Sequence, residues 1–230
     1  MKYILVFFSV LFCTPMLMAQ DNSAKQMVVD SLYREDQFYL GITYNLLSNK
    51  PSGVSQNAFS SGLHFGVIRD MPINDNRNKA IGVGLGLSFN AYNDNLLISE
   101  GASETTFSVL NEDTDYSKNK FYTYVVEMPI QYRWRTSTPS EYSFWRIYTG
   151  LKVGYVFANG TKYIGDPESF KVRNTGAFTK IQYGLTFSAG YNTWNFYLYY
   201  GLNDMFDTAQ INGESLNISA IKVGLMFYIL

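Results

Sequence analysis

Val126–Arg135 reads VEMPIQYRWR. Taken as a strand with period two, it places Val126, Met128, Ile130, Tyr132 and Trp134 on one face and Glu127, Pro129, Gln131, Arg133 and Arg135 on the other. In a water-soluble sheet the apolar face is the core side and the charged face is wet. In a transmembrane barrel the apolar face meets lipid and the charged face fills the middle. The choice between these two decides the fold, and the rest of the chain bears on it.

Eight segments alternate with period two: 37–46, 60–70, 80–92, 120–135, 144–157, 177–190, 194–203 and 218–229. In 80–92, Ile81, Val83, Leu85, Leu87 and Phe89 oppose Gly82, Gly84, Gly86, Ser88 and Asn90; in 218–229, Ile221, Val223, Leu225, Phe227 and Ile229 oppose Lys222, Gly224, Met226 and Tyr228. The connections between segments alternate too. The odd ones span about 13, 27, 19 and 14 residues and the even ones about 9, 8 and 3. An up-and-down barrel puts all odd connections at one end, and outer-membrane barrels keep long loops outside and short turns in the periplasm. The short connections carry turn residues at 72–76, 138–141 and 191–194.

The polar face is rich in Gly, Ser, Thr, Asn and Tyr rather than freely charged, as the wet face of a sandwich would be. Small residues suit an eight-stranded interior barely wide enough for side chains. The apolar face ends in Tyr122, Tyr132, Trp134, Tyr155, Phe157, Tyr183, Tyr191 and Trp194, as interfacial girdles require. Ten tilted residues cover about 24 Å, the height of the apolar band in such barrels. The expected fold is therefore all-β: an eight-stranded, antiparallel, up-and-down transmembrane β-barrel of the outer-membrane type.

The 230 residues include 18 basic and 19 acidic ones, charged residues make up 16%, and 17% are aromatic. Residues 1–19 carry one Lys, an apolar run and Leu17-Met18-Ala19, which reads as a signal peptide cleaved after Ala19. Phe12 before Cys13 makes a poor lipidation box, and the mature chain then has no cysteine. Residues 20–36 form a periplasmic N-terminal segment and 37–230 the barrel. Without Lys2 the balance is 17 basic to 19 acidic residues, which gives no reason to expect nucleic acid as a partner. Outer-membrane lipid and lipopolysaccharide are the expected surroundings of the wall.

A lipid-facing Val126 row turns Glu127, Gln131, Arg133 and Arg135 inward. A carboxylate in so narrow a lumen must be paired or protonated. A hairpin centred on Pro139-Ser140 sets Glu127 opposite Lys152, Gln131 opposite Tyr148 and Arg133 opposite Arg146; Lys222 is a second partner for Glu127. The inward basic residues are Arg133, Arg135, Arg146, Lys152, Lys180 and Lys222, against Glu127 and Asp70. The expected polar cluster of Glu127, Lys152, Arg133, Arg146, Lys222 and His64 is structural. Pro129, which donates no hydrogen bond, calls for a bulge or a break in its ladder, or a position where no donor is needed.

His64 is the sole histidine and points inward between Gly62 and Gly66, unlike a catalytic residue at a lipid-facing rim. With no mature Cys, His- or Cys-based metal clusters are excluded, and no cofactor is expected. The acidic loop 111–116 lacks the Gly and terminal Glu of an EF-hand, and GVGLGL at 82–87 lies inside a strand with no helix after it. No catalytic residue is assigned, and the expectation is a protein that is not an enzyme.

With these segments in hand, the sequence resembles the PorT family of outer-membrane barrels from Bacteroidota. The likeness rests on the Glu-x-Pro strand ending in basic residues, here Glu127, Pro129, Arg133 and Arg135, on FWRIYTGLKVGYVF at 144–157, and on the closing strands YLYYGLNDMF and IKVGLMFYIL. It implies a non-enzymatic integral protein of the Gram-negative cell outer membrane. Its implied role is support of type IX protein secretion or envelope assembly, with secretion-system or envelope proteins as partners. A lipid-modifying enzyme and a narrow channel are the alternatives.

Overall fold

The structure is a computed structural model. It describes residues 34–229 apart from 57, 102–104, 112, 137–143, 167, 208 and 212. The expected signal peptide, the lipidation question at Cys13, most of the expected 20–36 segment and the 138–141 turn lie outside the described residues.

The strands are β1 (Gln37–Ser48), β2 (Ser61–Pro72), β3 (Lys79–Asn93), β4 (Leu96–Glu100), β5 (Thr105–Val109), β6 (Tyr116–Arg135), β7 (Trp145–Gly165), β8 (Phe170–Arg173), β9 (Ile181–Tyr191), β10 (Trp194–Gly201), β11 (Gln210–Ile211), β12 (Glu214–Ser215) and β13 (Ser219–Ile229). Eight of them close a barrel. The sheet runs β6-β3-β2-β1-β13-β10-β9-β7, and β6 pairs with β7 to complete the ring. Every pairing in the ring is antiparallel.

Side-chain alternation follows directly from the sequence. In β1, Gln37, Tyr39, Thr43, Asn45 and Leu47 are buried, while Phe38, Leu40, Ile42 and Tyr44 are exposed. Leu85 of β3 is 60% exposed, and Leu151, Leu185 and Leu225 of β7, β9 and β13 are also exposed, while Arg133 and Arg135 are wholly buried. This is an inverted amphipathicity: aliphatic chains splay outward and guanidinium groups sit inside. An apolar band of that extent on a closed barrel is suited only to lipid.

Several elements depart from the expectation. β6 and β7 run beyond the alternating segments at their outer ends, to Tyr116 and Gly165. There the outward positions become Lys and Tyr, so the hydrophobic pattern stops before the hydrogen-bonded ladder does. A register shift between Tyr124 and Val125 marks the change. The sixth segment starts at Ile181, not 177, and Lys180 is exposed rather than inward. Its place at the strand mouth ends the alternation before the lumen begins.

The β6–β7 register is also corrected. Glu127 pairs with Gly154, Pro129 with Lys152, Gln131 with Gly150, Arg133 with Tyr148 and Arg135 with Arg146. The hairpin axis lies one residue further along the chain than Pro139-Ser140, which shifts pairing by two. A shift of two keeps every side chain on its own face, so the inward set survives. At Pro129 there is no bulge. The β3–β6 ladder is interrupted between Val83↔Ile130 and Gly86↔Glu127 at constant register, whereas the ladder to β7 continues through Pro129.

The long connections are more ordered than a polar-loop reading implies. β4 pairs with β5 and β11 with β12. Leu96, Ile98, Phe178, Met205, Phe206, Leu216 and Ile218 from these connections are buried with the inward Tyr92 and Phe121. Phe206 meets Phe107, Phe121 and Phe178 at ring distances of 5.5, 5.4 and 5.0 Å. The outer mouth of the barrel is capped by apolar packing that is continuous with the buried aromatics of the barrel interior.

Candidate functional site: the charged barrel interior

Period-two alternation in four strands carries charge to one level of the lumen. β6 offers Glu127, β7 Lys152, β2 His64 and β1 Tyr39. Lys152 Nζ lies 3.0 Å from Glu127 Oε1. The Tyr39 hydroxyl donates to the same oxygen at 3.0 Å. His64 Nδ1 donates to Oε2 at 3.2 Å, while its Nε2 is 3.2 Å from Thr43 Oγ1. A buried carboxylate with three partners of this kind has its lone pairs satisfied, which is the condition for holding charge in a dry interior. Lys222 does not join Glu127 directly. Its Nζ donates to Asn90 Oδ1 at 2.8 Å and lies 5.1 Å from the centre of the Tyr199 ring.

A second cluster closes the periplasmic end. Arg135 donates to both oxygens of Asp70, at 2.9 Å each, and Arg133 donates to Asp70 Oδ1 at 2.7 Å. Arg135 also stands 3.6 Å from Glu35 and donates to the Arg77 carbonyl. Arg133 reaches the Glu35 carbonyl and the Gln37 side chain. Two guanidinium groups share one carboxylate, and Arg135 holds it in a planar fork that lysine could not reproduce. Arg146, the remaining inward arginine, meets no carboxylate among the described residues; its guanidinium lies over the Phe144 ring at 4.4 Å.

Among the described residues, the buried ionic groups of the barrel lumen are Arg133, Arg135, Arg146, Lys152 and Lys222 against Glu35, Asp70 and Glu127, with Asp94 buried apart from them in the outer cap. Aromatic faces make up the deficit of acids. Arg133 stacks on Tyr148 at 4.2 Å and Lys152 lies over Tyr197 at 5.0 Å, contacts that gain strength away from water. The structure therefore brings Glu127, Lys152 and His64 into one group, sets Arg133 in another with Asp70, and leaves Lys222 and Arg146 each beside aromatic rings. Glu35 escaped the sequence reading, although Glu35, Gln37 and Tyr39 continue a single inward row across the start of β1. That parity was the signal available.

Packing leaves little room. Beside Glu127, Lys152 and Lys222, a cavity of about 10 Å³ remains, lined also by Ser88, Gln182 and Tyr199. That is the space of a single water at most. Among the described residues, no three His, Cys, Asp or Glu side chains gather as a metal-binding group.

A closed antiparallel ring with lipid-facing aliphatics and a packed ionic cluster in its lumen defines the class: an eight-stranded transmembrane β-barrel. Residues 18–207 match the family described as outer membrane protein beta-barrel domain, and the chain belongs to that family. It is accordingly a protein of the outer membrane. No curated protein matches the chain.

Proposed function

We propose that the protein is a non-enzymatic scaffold of the outer membrane, of the PorT type, which supports type IX protein secretion or envelope assembly by holding a partner on its ordered outer hairpins or its periplasmic edge. The observation that carries this reading is the packed lumen: Glu127 is held by Lys152, Tyr39 and His64, Asp70 by Arg133 and Arg135, and the cavity beside Glu127, Lys152 and Lys222 admits at most one water. A barrel packed in this way is built to present surfaces, not to pass solutes. His64, the residue a lipid-modifying enzyme would need, is wholly buried and oriented by Glu127, which speaks against that alternative. Deletion of the gene tests the reading: delivery of type IX cargo to the cell surface should fall, and gentle solubilisation of tagged protein should recover envelope components. Normal cargo delivery together with altered lipid A acylation would instead favour the enzyme. Discrete conductance steps in planar bilayers would favour the channel.

A further inference from the structure

The outer wall carries one feature that neither the lumen nor the hairpins account for. On the outer-leaflet side of the apolar band, three adjacent strands place cations in a row: Lys120 of β6 pairs with Lys162 of β7, which pairs with Lys171 of β8. Lys118 and Arg173 lie two positions away on the same outward faces. Among the described residues none of these five forms an ion pair with a carboxylate. Lys171 Nζ lies 5.8 Å from the Tyr122 ring centre. Below the row, the wall is apolar and aromatic. Leu63, Phe89 and Tyr124 are register partners on β2, β3 and β6, and the Phe89 and Tyr124 rings meet edge to face at 5.2 Å. Lysines and rings together line a single groove of about 590 Å³.

The juxtaposition is that of an amphiphile standing upright in the leaflet, with negative charge at headgroup level and hydrocarbon beneath it. We propose that this groove binds a phosphorylated, multiply acylated glycolipid of the lipopolysaccharide type, its phosphates on Lys120, Lys162 and Lys171 and an acyl chain against Leu63, Phe89 and Tyr124. Three uncompensated lysines side by side repel one another, and an anionic headgroup removes that repulsion while completing the hydrogen bonds of the ammonium groups. The long odd connections fix the groove in the outer leaflet, where such a lipid resides. A protein partner lying on this wall would have to displace lipid from Leu63 and Phe89 and is disfavoured for that reason.

The test is lipid retention by the folded mature protein, read by native mass spectrometry from micelles that contain equal amounts of lipid A and phosphatidylcholine. Wild type should retain lipid A, and Lys120→Gln/Lys162→Gln/Lys171→Gln should retain less by on the order of tenfold. Lys50→Gln/Lys180→Gln, which removes two exposed cations elsewhere, should retain as much as wild type. Should the triple variant fail to fold, wild type alone remains decisive: bis-phosphorylated lipid A should be retained over its dephosphorylated form. Equal retention of the two forms, or of lipid A and phosphatidylcholine, overturns the proposal. So does displacement by millimolar inorganic phosphate alone, because the site would then be a simple anion pocket with no use for the apolar wall.

Discussion

Glu127 is the residue on which the mid-level interior turns. Removing a partner from a buried ion pair leaves an uncompensated charge, at a cost of about 3–5 kcal/mol, whereas replacing both partners with apolar groups of similar size is often neutral. Glu127→Ala should thus lower the unfolding midpoint in urea, followed in micelles by loss of the compact, heat-modifiable band on electrophoresis. Glu127→Leu/Lys152→Leu should recover most of the loss; a double variant no more stable than the single would show that the pair itself is not what the site depends on. In the external cap, Asp94 is completely buried, one oxygen accepting from the Leu96 amide at 2.9 Å. Burial pushes its carboxyl up to about 8, against a smaller opposing pull from that amide and from Lys50. Because the folded value is raised, the stabilisation is present in full below about pH 4, the unfolded value, and is lost as pH rises through the folded one. Proteolysis of the outer hairpins should therefore accelerate between pH 6 and pH 9, and Asp94→Asn should flatten that rise; parallel profiles would contradict the assignment. Sequence alternation placed Glu127, Lys152, Arg133 and His64 inside, since parity alone decides the face. It also paired Glu127 with Lys152, which lie 3.0 Å apart, but it could not give Tyr39 as a further partner of Glu127 or Asp70 as the partner of Arg133, because these reach their sites across strands distant in sequence.

At the scale of the strand, small residues on the inner face make the ionic cluster possible. Gly86 pairs with Glu127, and a methyl group on it would come within 2.6 Å of the Phe65 carbonyl and 2.8 Å of the Tyr39 ring. Gly86→Ala should cost about 1–3 kcal/mol by overpacking and push the Tyr39 hydroxyl off Glu127. Gly176→Ala, whose added methyl would meet nothing within 4 Å, should be neutral in the same denaturation assay. Equal effects would mean that the crowding at Gly86 is relieved by backbone movement. Eight strands and their order along the chain were legible because the lipid-facing rows are nearly unbroken. The outer ends of β6 and β7 were not, since above Tyr124 the outward positions turn to Lys, and a ladder needs no hydrophobic pattern to continue. Pro129 illustrates the same limit. The missing donor is accommodated by a gap opposite Gly84 and Leu85, a choice made by the neighbouring strand and invisible in the Pro129 segment itself.

For the whole molecule, the polar composition of the long connections concealed the buried Leu96, Ile98, Phe206 and Leu216, which are too sparse to read as a core until the barrel brings them together. The barrel is thus closed above by apolar packing, plugged in the middle by Glu127 and its partners, and tied at the periplasmic end by Asp70, Arg133 and Arg135. All of it presupposes that the aliphatic face is the lipid face. Spin labels on single cysteines test this most directly, since Cys13 is the one native cysteine of the sequence. Labels replacing Leu85, Leu151 and Leu185 in reconstituted vesicles should collide freely with dissolved oxygen and be shielded from a water-soluble nickel complex. Ready collision with nickel at all three positions, in vesicles or in detergent-free buffer, would mean that the wall faces water and that the protein is not a transmembrane barrel.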